Sequence, residues 1–476
     1  MRRTPGTDHE KPPPGRSRLR GGLRRLAVAA LAPLLALAAT SATAQGVWVT
    51  VPPLPTPRTA FAGTAAHCPE GLQGACVYAV GGFPERDRFE AYSPRTNTWA
   101  TLPPLQTPRL SLASASAPCP GGVKGDCVYA IGGALDDDTV VGTNEAFSTE
   151  SGTWLTLPPM PTARAGLATA TAPCAEGLGL RGVCVYAVGG YRTGVVPTVE
   201  AYSPATNTWA TVAPLPQPRA GLGSSAAPCP PNLGLKGTCV YAIGAGNGID
   251  APFTRAEVYS PVLNGWTSLP DMPTGRFDGP GVATAPCPEG LSDGCVYVLG
   301  GLGSAGTLAT AEAYSPAANA WITLPSMPTA HREFAAAHAP CPKTPKRPCV
   351  YAVSGFFANG GGINGATQAF AIERAEAAHK PKPKPKPDPF AEAAPGMSAD
   401  RPQAPAAARA PLPTVTPGQT PAPSPAPTSS PAPAASPGPV AASTPTPRPL
   451  PSAVISVGFW PLPAPAAPAA SPSGGS

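Results

Sequence analysis

Six arginines recur along the chain at Arg58, Arg109, Arg164, Arg219, Arg276 and Arg332, each behind a proline-rich turn and ahead of a run of small residues. A guanidinium is a permanent cation with a rigid fork of donors, suited to carboxylates and other planar anions. Glu90, Glu145, Glu200, Glu257 and Glu312 recur with the same period, and Gln368 stands in the sixth position. Two outcomes are open: the arginines pair with these glutamates, or they present a cationic ring to a ligand. Arg332 faces a Gln position and is the arginine expected to be free. His331 and Glu333 flank it, making this the local cluster best suited to chemistry.

Other chemistry is poorly represented. Asp136, Asp137 and Asp138 form an acidic run, but a calcium ion takes six to eight oxygens and the spaced pattern of a calcium loop is missing, so the run reads as a solvated turn. None of the five histidines recurs from repeat to repeat. There is no G-x-S-x-G, H-E-x-x-H or phosphate-loop motif, and the Gly-Gly doublets precede no helix. No catalytic residue, metal ligand or cofactor is assigned.

The elements that position these residues follow from an internal repeat. Trp48, Trp99, Trp154, Trp209, Trp266 and Trp321 mark a period of about 55 residues. Each unit reads as four short strands. Strand A is Ala/Ser/Thr-rich, strand B is VYAVGG-like, strand C is EAYSP-like and strand D is TWATLPPL-like, with Pro and Gly at the boundaries. Strand B is apolar at consecutive positions, as expected where both faces are covered. Radially stacked sheets supply that cover, with the small residues of strand A nearest the axis.

The Gly-Gly doublet, Glu-x-Tyr and Asn-x-Trp at this period resemble the kelch repeat of β-propellers. The resemblance covers residues 46 to about 373 and departs from the pattern at Gly244-Ala245, Ser354-Gly355, Gln368 and Phe370. It implies an all-β, six-bladed propeller over residues 45–374. The last unit lacks a Trp-bearing strand D, whereas the chain begins with an orphan one (Val47-Trp48-Val49-Thr50), so the N-terminal strand is expected to complete blade 6. Kelch propellers range from protein-binding modules to carbohydrate enzymes such as six-bladed sugar mutarotases, so fold alone implies no reaction.

Twelve cysteines fall into six pairs, each bracketing the A–B turn of its own unit. The pairs are Cys68 with Cys76, Cys119 with Cys127, Cys174 with Cys184, Cys229 with Cys239, Cys287 with Cys295, and Cys341 with Cys349. Facing positions on a hairpin suit disulfide geometry, and zinc ligands would need closer spacing and further Cys or His. Six intrablade disulfides are expected, which calls for an oxidising compartment.

Antiparallel strands put the A–B and C–D turns on one face, and the B–C loops with the D-to-A connections on the other. The second face carries the variable segments: Phe83, Arg86 and Arg88; Tyr191 and Arg192; Asn247, Asp250, Phe253 and Arg255; Phe356, Phe357 and Asn359. Aromatic-plus-arginine loops on a rigid scaffold suit recognition of a protein or glycan.

The formal net charge of +6 lies wholly within residues 1–44, and the remainder is neutral. A basic stretch, an apolar run over 26–39 and Ala42-Thr43-Ala44 form the pattern of a signal peptide cleaved before Gln45, so a secreted, periplasmic or cell-envelope protein is expected. The apolar run is too short to span a bilayer. Residues 45–379 carry net −4, which excludes an electrostatic footprint for nucleic acid. Residues 375–476 open on alternating Lys-Pro and continue in Ala, Pro, Ser and Thr. They are expected to form a disordered, extended spacer associated with the envelope. A single copy of this closed ring is expected to be monomeric.

Overall fold

The computed structural model describes residues 46–373, apart from 137, 247–252, 289–290, 292–293 and 358–361. The signal-like segment 1–44, the tail 375–476 and Asp137, Asn247, Asp250 and Asn359 lie outside the described residues.

Within them, six four-stranded antiparallel sheets stand around an axis. Blade 1 runs Ala62–His67, Ala75–Val80, Phe89–Ser93 and Thr98–Thr101, and blades 2 to 5 repeat this order. Blade 6 takes Ala335–Cys341, Thr344–Val353 and Thr367–Ile372 from the end of the fold and Gly46–Val51 from its beginning. In that closing pair Trp48 stands opposite Phe370 and Val51 opposite Thr367.

The burial pattern explains the composition of each strand. Strands B and C of blade 3 (Val183–Val188 and Val199–Ser203) are covered almost end to end, because neighbouring blades pack on both faces. Strand A alternates, as in Ala168–Pro173, with Ala168, Ala170 and Ala172 inward and Thr169 and Thr171 half-buried along the axis. Bulkier residues would fill the space where six strands converge. The Gly doublets after strand B are a backbone requirement. Gly132 and Gly133 have φ of 64° and 109°, and a Cβ on Gly132 would sit 2.5 Å from the Arg164 carbonyl oxygen.

The recurring tryptophans tie each blade to the one before. Trp99 Nε1 donates to Pro52 O at 2.9 Å, Trp154 to Pro103 O at 2.9 Å, and Trp209 to Pro158 O at 2.8 Å. Trp266 reaches Ala213 O and Trp321 reaches Pro270 O in the same way. Trp48 donates to Pro325 O at 2.8 Å, so the N-terminal strand makes the same link from blade 6 to blade 5.

All six cysteine pairs are disulfides within their own blades, as the spacing predicts. Cys68 is bonded to Cys76, Cys119 to Cys127 and Cys174 to Cys184. Cys229 is bonded to Cys239, Cys287 to Cys295 and Cys341 to Cys349. The second member of each pair (Cys76, Cys127, Cys184, Cys239, Cys295, Cys349) lies fully buried on strand B, opposite the end of strand A. Cα–Cα distances of 4.8–4.9 Å across each bridge fall in the range that facing hairpin positions supply.

Candidate functional site at the mouth of the axial channel

Five of the six arginine-linked positions form one motif inside the blades. Arg58, Arg109, Arg164, Arg219 and Arg276 are fully buried, each on the strand-C glutamate of its own blade. In blade 2, Arg109 donates to Glu145 Oε2 at 2.6 Å, Gly132 O at 2.8 Å, Thr107 O at 2.7 Å and Ala130 O at 2.8 Å. Thr107 Oγ1 closes the motif on Glu145 Oε1 at 2.7 Å. Burial pulls each guanidinium pKa down and the partnering glutamate opposes it. The cationic-ring expectation is corrected for these five: their charge is directed at carboxylates and carbonyls inside the blade, away from any ligand in solution.

Blade 6 departs from the motif, and its numbering requires a second correction. The residue in the arginine slot is His331, and Arg332 is the next one along. The backbone makes this explicit: Gly133 N donates to Arg164 O, Gly190 N to Arg219 O, and Gly301 N to His331 O. Arg332 pairs with Phe356 just as Thr59 bridges Phe83 and Ala165 bridges Tyr191. His331 is fully buried, its Nδ1 is 2.8 Å from Ser354 O, and its ring lies 4.4 Å from that of Phe357. Burial holds its pKa below the ordinary value. Among the described residues, neither its Nε2 nor Gln368 Oε1, both buried, has a hydrogen-bond partner.

The shift by one residue sends Arg332 toward the axis. Its guanidinium stacks 4.6 Å from the Phe356 ring centroid and stands 3.6 Å from Asp278 Oδ2, with the two side chains 19% and 17% exposed. Beyond it lies a feature that sequence reading missed. All six blades contribute to a closed circuit of backbone hydrogen bonds around the axis. Ala60 N donates to Glu333 O, Ser111 N to Ala60 O, Gly166 N to Ser111 O, Gly221 N to Gly166 O, Gly279 N to Gly221 O, and Glu333 N to Asp278 O, at 2.7–3.3 Å. Ala60, Ser111, Gly166, Gly221, Asp278 and Glu333 all adopt φ between 50° and 67°. For Ala60, Ser111 and Glu333 this is an uncommon conformation, maintained by the surrounding circuit.

Four of these positions carry Ala, Ser or Gly; the other two carry carboxyl groups. Asp278 and Glu333 are neighbours at the mouth, where Glu333 N donates to Asp278 O at 3.3 Å, and Thr59 Oγ1 donates to Glu333 Oε2 at 2.9 Å. Burial, then the neighbouring Asp278, pushes the Glu333 carboxyl up to about 8; burial also raises Asp278, with Arg332 opposing. Neighbouring buried carboxyls resist ionising together, because the charge on one opposes the charge on the other. The mouth encloses a cavity of about 190 Å³, bordered by Phe61, Ser111, Tyr191, Asp278 and Glu333, and leads to a deeper section of about 250 Å³ bordered by Ser116, Thr171, Thr284 and His338.

The remaining loop candidates divide. Tyr191 reaches the mouth, and Phe356 stands beside it under Arg332. Phe357 is buried against His331, and Phe83 packs in a small cluster with Leu110 and Ala134. Arg86 links blades 1 and 2, donating to Leu135 O at 2.6 Å and pairing with Asp136 at 2.8 Å. Arg88, Arg192 and Arg255 are more exposed on the outer part of this face, and Phe253 is half-buried. The sequence signal for Asp278 was available in hindsight: the Phe277-Asp278-Gly279 stretch lengthens the connection to strand A by one residue and puts a charge into a run of small residues. Among the described residues, no three His, Cys, Asp or Glu side chains converge.

A six-bladed propeller whose axial mouth departs from the repeat is the class defined by this architecture. The family model described as Kelch motif matches residues 184–216 and 290–328. Kelch-like protein terF of Aspergillus terreus is 36% identical over 138 residues, 28% of this chain and 27% of that protein. Kelch-like protein 23 of Homo sapiens is 27% identical over 303 residues, 54% of this chain and 50% of that protein. The chain spans about half or less of the length of these curated relatives. A solved structure titled "Structure of YjhT" covers 69% of this chain and 98% of its own, at 15% identity and a TM-score of 0.49. The chain thus carries matches to the Kelch motif within a six-bladed propeller.

Proposed function

We propose that this protein is an exported recognition module that binds a protein or glycan partner at the mouth of the axial channel and on the B–C loops around it. The observation that carries this reading is the break in six-fold repetition. Where the other blades place Ala60, Ser111, Gly166 and Gly221, blades 5 and 6 place Asp278 and Glu333, with Arg332 alongside. Such a mouth offers two carboxyl groups and a guanidinium within one small space, a donor and acceptor set suited to hydroxyl or amide groups. The cavity admits one side chain or one sugar ring, smaller than the roughly 300–1,000 Å³ of a drug-sized site. Tyr191 and the Phe356–Arg332 pair supply flat surfaces beside it. Export is supported by six disulfides, which persist in oxidising compartments.

A second reading rests on one specific observation. Two neighbouring carboxyls, with Glu333 pushed up to about 8 by burial and by Asp278, are the arrangement that general acid–base catalysis uses, as anomeric interconversion of a free sugar would require. One experiment addresses both. Glycan arrays and pull-downs with the wild type, Glu333→Gln and Arg332→Ala should lose binding in both variants. Equal retention by all three would remove the mouth as the site. Proton NMR of reducing sugars, showing faster anomer exchange with the wild type and not with Glu333→Gln, would replace the binding reading with the catalytic one.

A further inference from the structure

Arg109 and Arg332 are the same residue type in opposite circumstances. Arg109 donates four hydrogen bonds, to a glutamate and three carbonyls, whereas the Arg332 side chain donates none among the described residues. Its Nε is buried without a partner, and its contact with Asp278 Oδ2, at 3.6 Å, is longer than a hydrogen bond. The Phe356 ring, 4.6 Å from the guanidinium, holds the plane by stacking on its face and leaves the forked edge of N–H groups unengaged. The side chain is only 19% exposed, so water reaches little of that fork. A largely buried guanidinium with unpaired donors is unfavourable, and an oxyanion that pairs two of them at once relieves it.

Resting on the reading of the mouth as a recognition site, we infer that the group recognised there is a carboxylate, bound edge-on by the Arg332 fork beside Phe356, and that a dianionic phosphate is refused. A carboxylate is planar and presents two oxygens at the spacing of two guanidinium N–H groups, so one ligand group pairs two donors. The refusal comes from Asp278 and Glu333. Asp278 stands beside the fork, and Glu333 follows Arg332 in the chain and borders the same mouth, so any bound anion has two carboxyls as neighbours. Arg332 balances one negative charge, and a second, as on a phosphate monoester, meets only carboxyls. The other groups packed here leave that balance alone. Thr59 Oγ1 donates to Glu333 Oε2, and Tyr191 borders the cavity. His338 lies deeper, held below its ordinary pKa by burial, and Arg58 and Arg276 are turned onto Glu90 and Glu312 inside their blades. Capture therefore has a pH signature. A bound negative charge opposes ionisation of Glu333, so the complex holds that proton more firmly than the free protein does. Affinity falls as pH rises past the Glu333 value of about 8.

The test is calorimetric titration of the full chain with glucuronate and N-acetylglycine, which carry one carboxylate on a sugar and on a peptide chain end. Glucose, N-acetylglycine amide and glucose 6-phosphate serve as counterparts. The expected result is that a carboxylate binds, its uncharged counterpart does not, and glucose 6-phosphate binds about tenfold or more weakly than glucuronate. The tighter of the two carboxylates identifies the source. Arg332→Ala should abolish binding, and Arg332→Lys, which keeps the charge and loses the fork, should weaken it about tenfold. Wild-type affinity should fall by up to about tenfold per pH unit above about 8. Asp278→Asn should strengthen binding and move that fall to lower pH, which loss of a merely structural residue would not do. Circular dichroism melting checks that the variants keep the fold. Glucose 6-phosphate binding as tightly as glucuronate, or carboxylate binding unchanged in Arg332→Ala, would overturn the assignment. A profile flat through the Glu333 value and unmoved by Asp278→Asn would overturn the part given to the two carboxyls. If neither carboxylate binds the wild type while Arg332→Ala still loses its array or pull-down partner, this inference falls and the recognition site stands. If Arg332→Ala keeps that partner, the recognition site falls as well.

Discussion

Blades 1 to 5 and blade 6 solve one problem in two ways. In the first five, a buried arginine spans from the D–A connection to strand C; in blade 2 it satisfies a glutamate, which a threonine also holds, and several carbonyls at once. In blade 6, His331 and Gln368 fill the same slot with shorter, neutral groups, and His331 Nε2 and Gln368 Oε1 find no partner among the described residues. The exchange has a consequence at the axis. With His331 occupying the slot, Arg332 lies one position on, beside Asp278 and over Phe356. Repetition builds the scaffold, and its interruption places charge where a ligand could meet it. Buried ion pairs are poor sources of net stability yet costly to break, so the regular blades are rigid in composition while blade 6 is free to differ.

The closure of blade 6 gives the largest expected effect. Deleting residues 46–51 removes the strand paired with Thr367–Ile372 and the Trp48–Pro325 link, and exposes Phe370. A steep fall in thermal midpoint is expected, against almost none on deleting 375–476. Equal melting of the two deletions would mean that the ring is held by something other than this strand.

Next in size is the contrast within the motif itself. Arg164→Ala strands Glu200 inside blade 3 and should cost about 3–5 kcal/mol, the range for breaking a buried pair on one side. His331→Ala should cost clearly less, since no charge is left behind. Urea unfolding of both variants compares them directly, and a His331→Ala cost as large as that of Arg164→Ala would erase the distinction between blade 6 and the rest.

Restoring the repeat in blade 6 is a smaller and sharper test. His331→Arg and Gln368→Glu should each destabilise, because each buries an unpaired charge. Combined, they should recover a coupling of about 1–3 kcal/mol in a double-mutant cycle. Additive losses would show that the blade 6 slot has lost the shape of the motif as well as its residues.

The smallest effect concerns pH. A carboxyl raised in the folded state binds its proton more tightly there than in the unfolded chain. Its contribution therefore favours folding at low pH and declines as pH rises from the ordinary glutamate value to about 8. Glu333→Gln should flatten the thermal midpoint across that interval and raise it at the alkaline end. An unchanged pH profile would mean that burial and Asp278 do not raise the Glu333 carboxyl.

Much of this was legible in advance for a plain reason. Trp99, Trp154 and Trp209 each repeat the same hydrogen bond to the preceding blade, and a contact made six times leaves a periodic mark in the sequence. The orphan Trp48 strand announced the closure in the same way. The site was less legible because it consists of departures from the period. Arg332 looked like the sixth arginine, and only the backbone register showed His331 in that slot. Asp278 left only a connection longer by one residue, since its role depends on Glu333 and Arg332 from another blade.

The sequence by itself determined the all-strand repeat, the six blades, the closure by the N-terminal strand and the pairing of twelve cysteines, because each depends on residues close in sequence or repeated at a fixed interval. The tertiary structure alone decided that five arginines are interior struts and that the axial mouth is ringed by left-handed backbone. It also decided that two carboxyls and one guanidinium meet at that mouth. Those facts arise where blades 5, 6 and 1 converge on the axis, and convergence of distant segments leaves no local pattern to read.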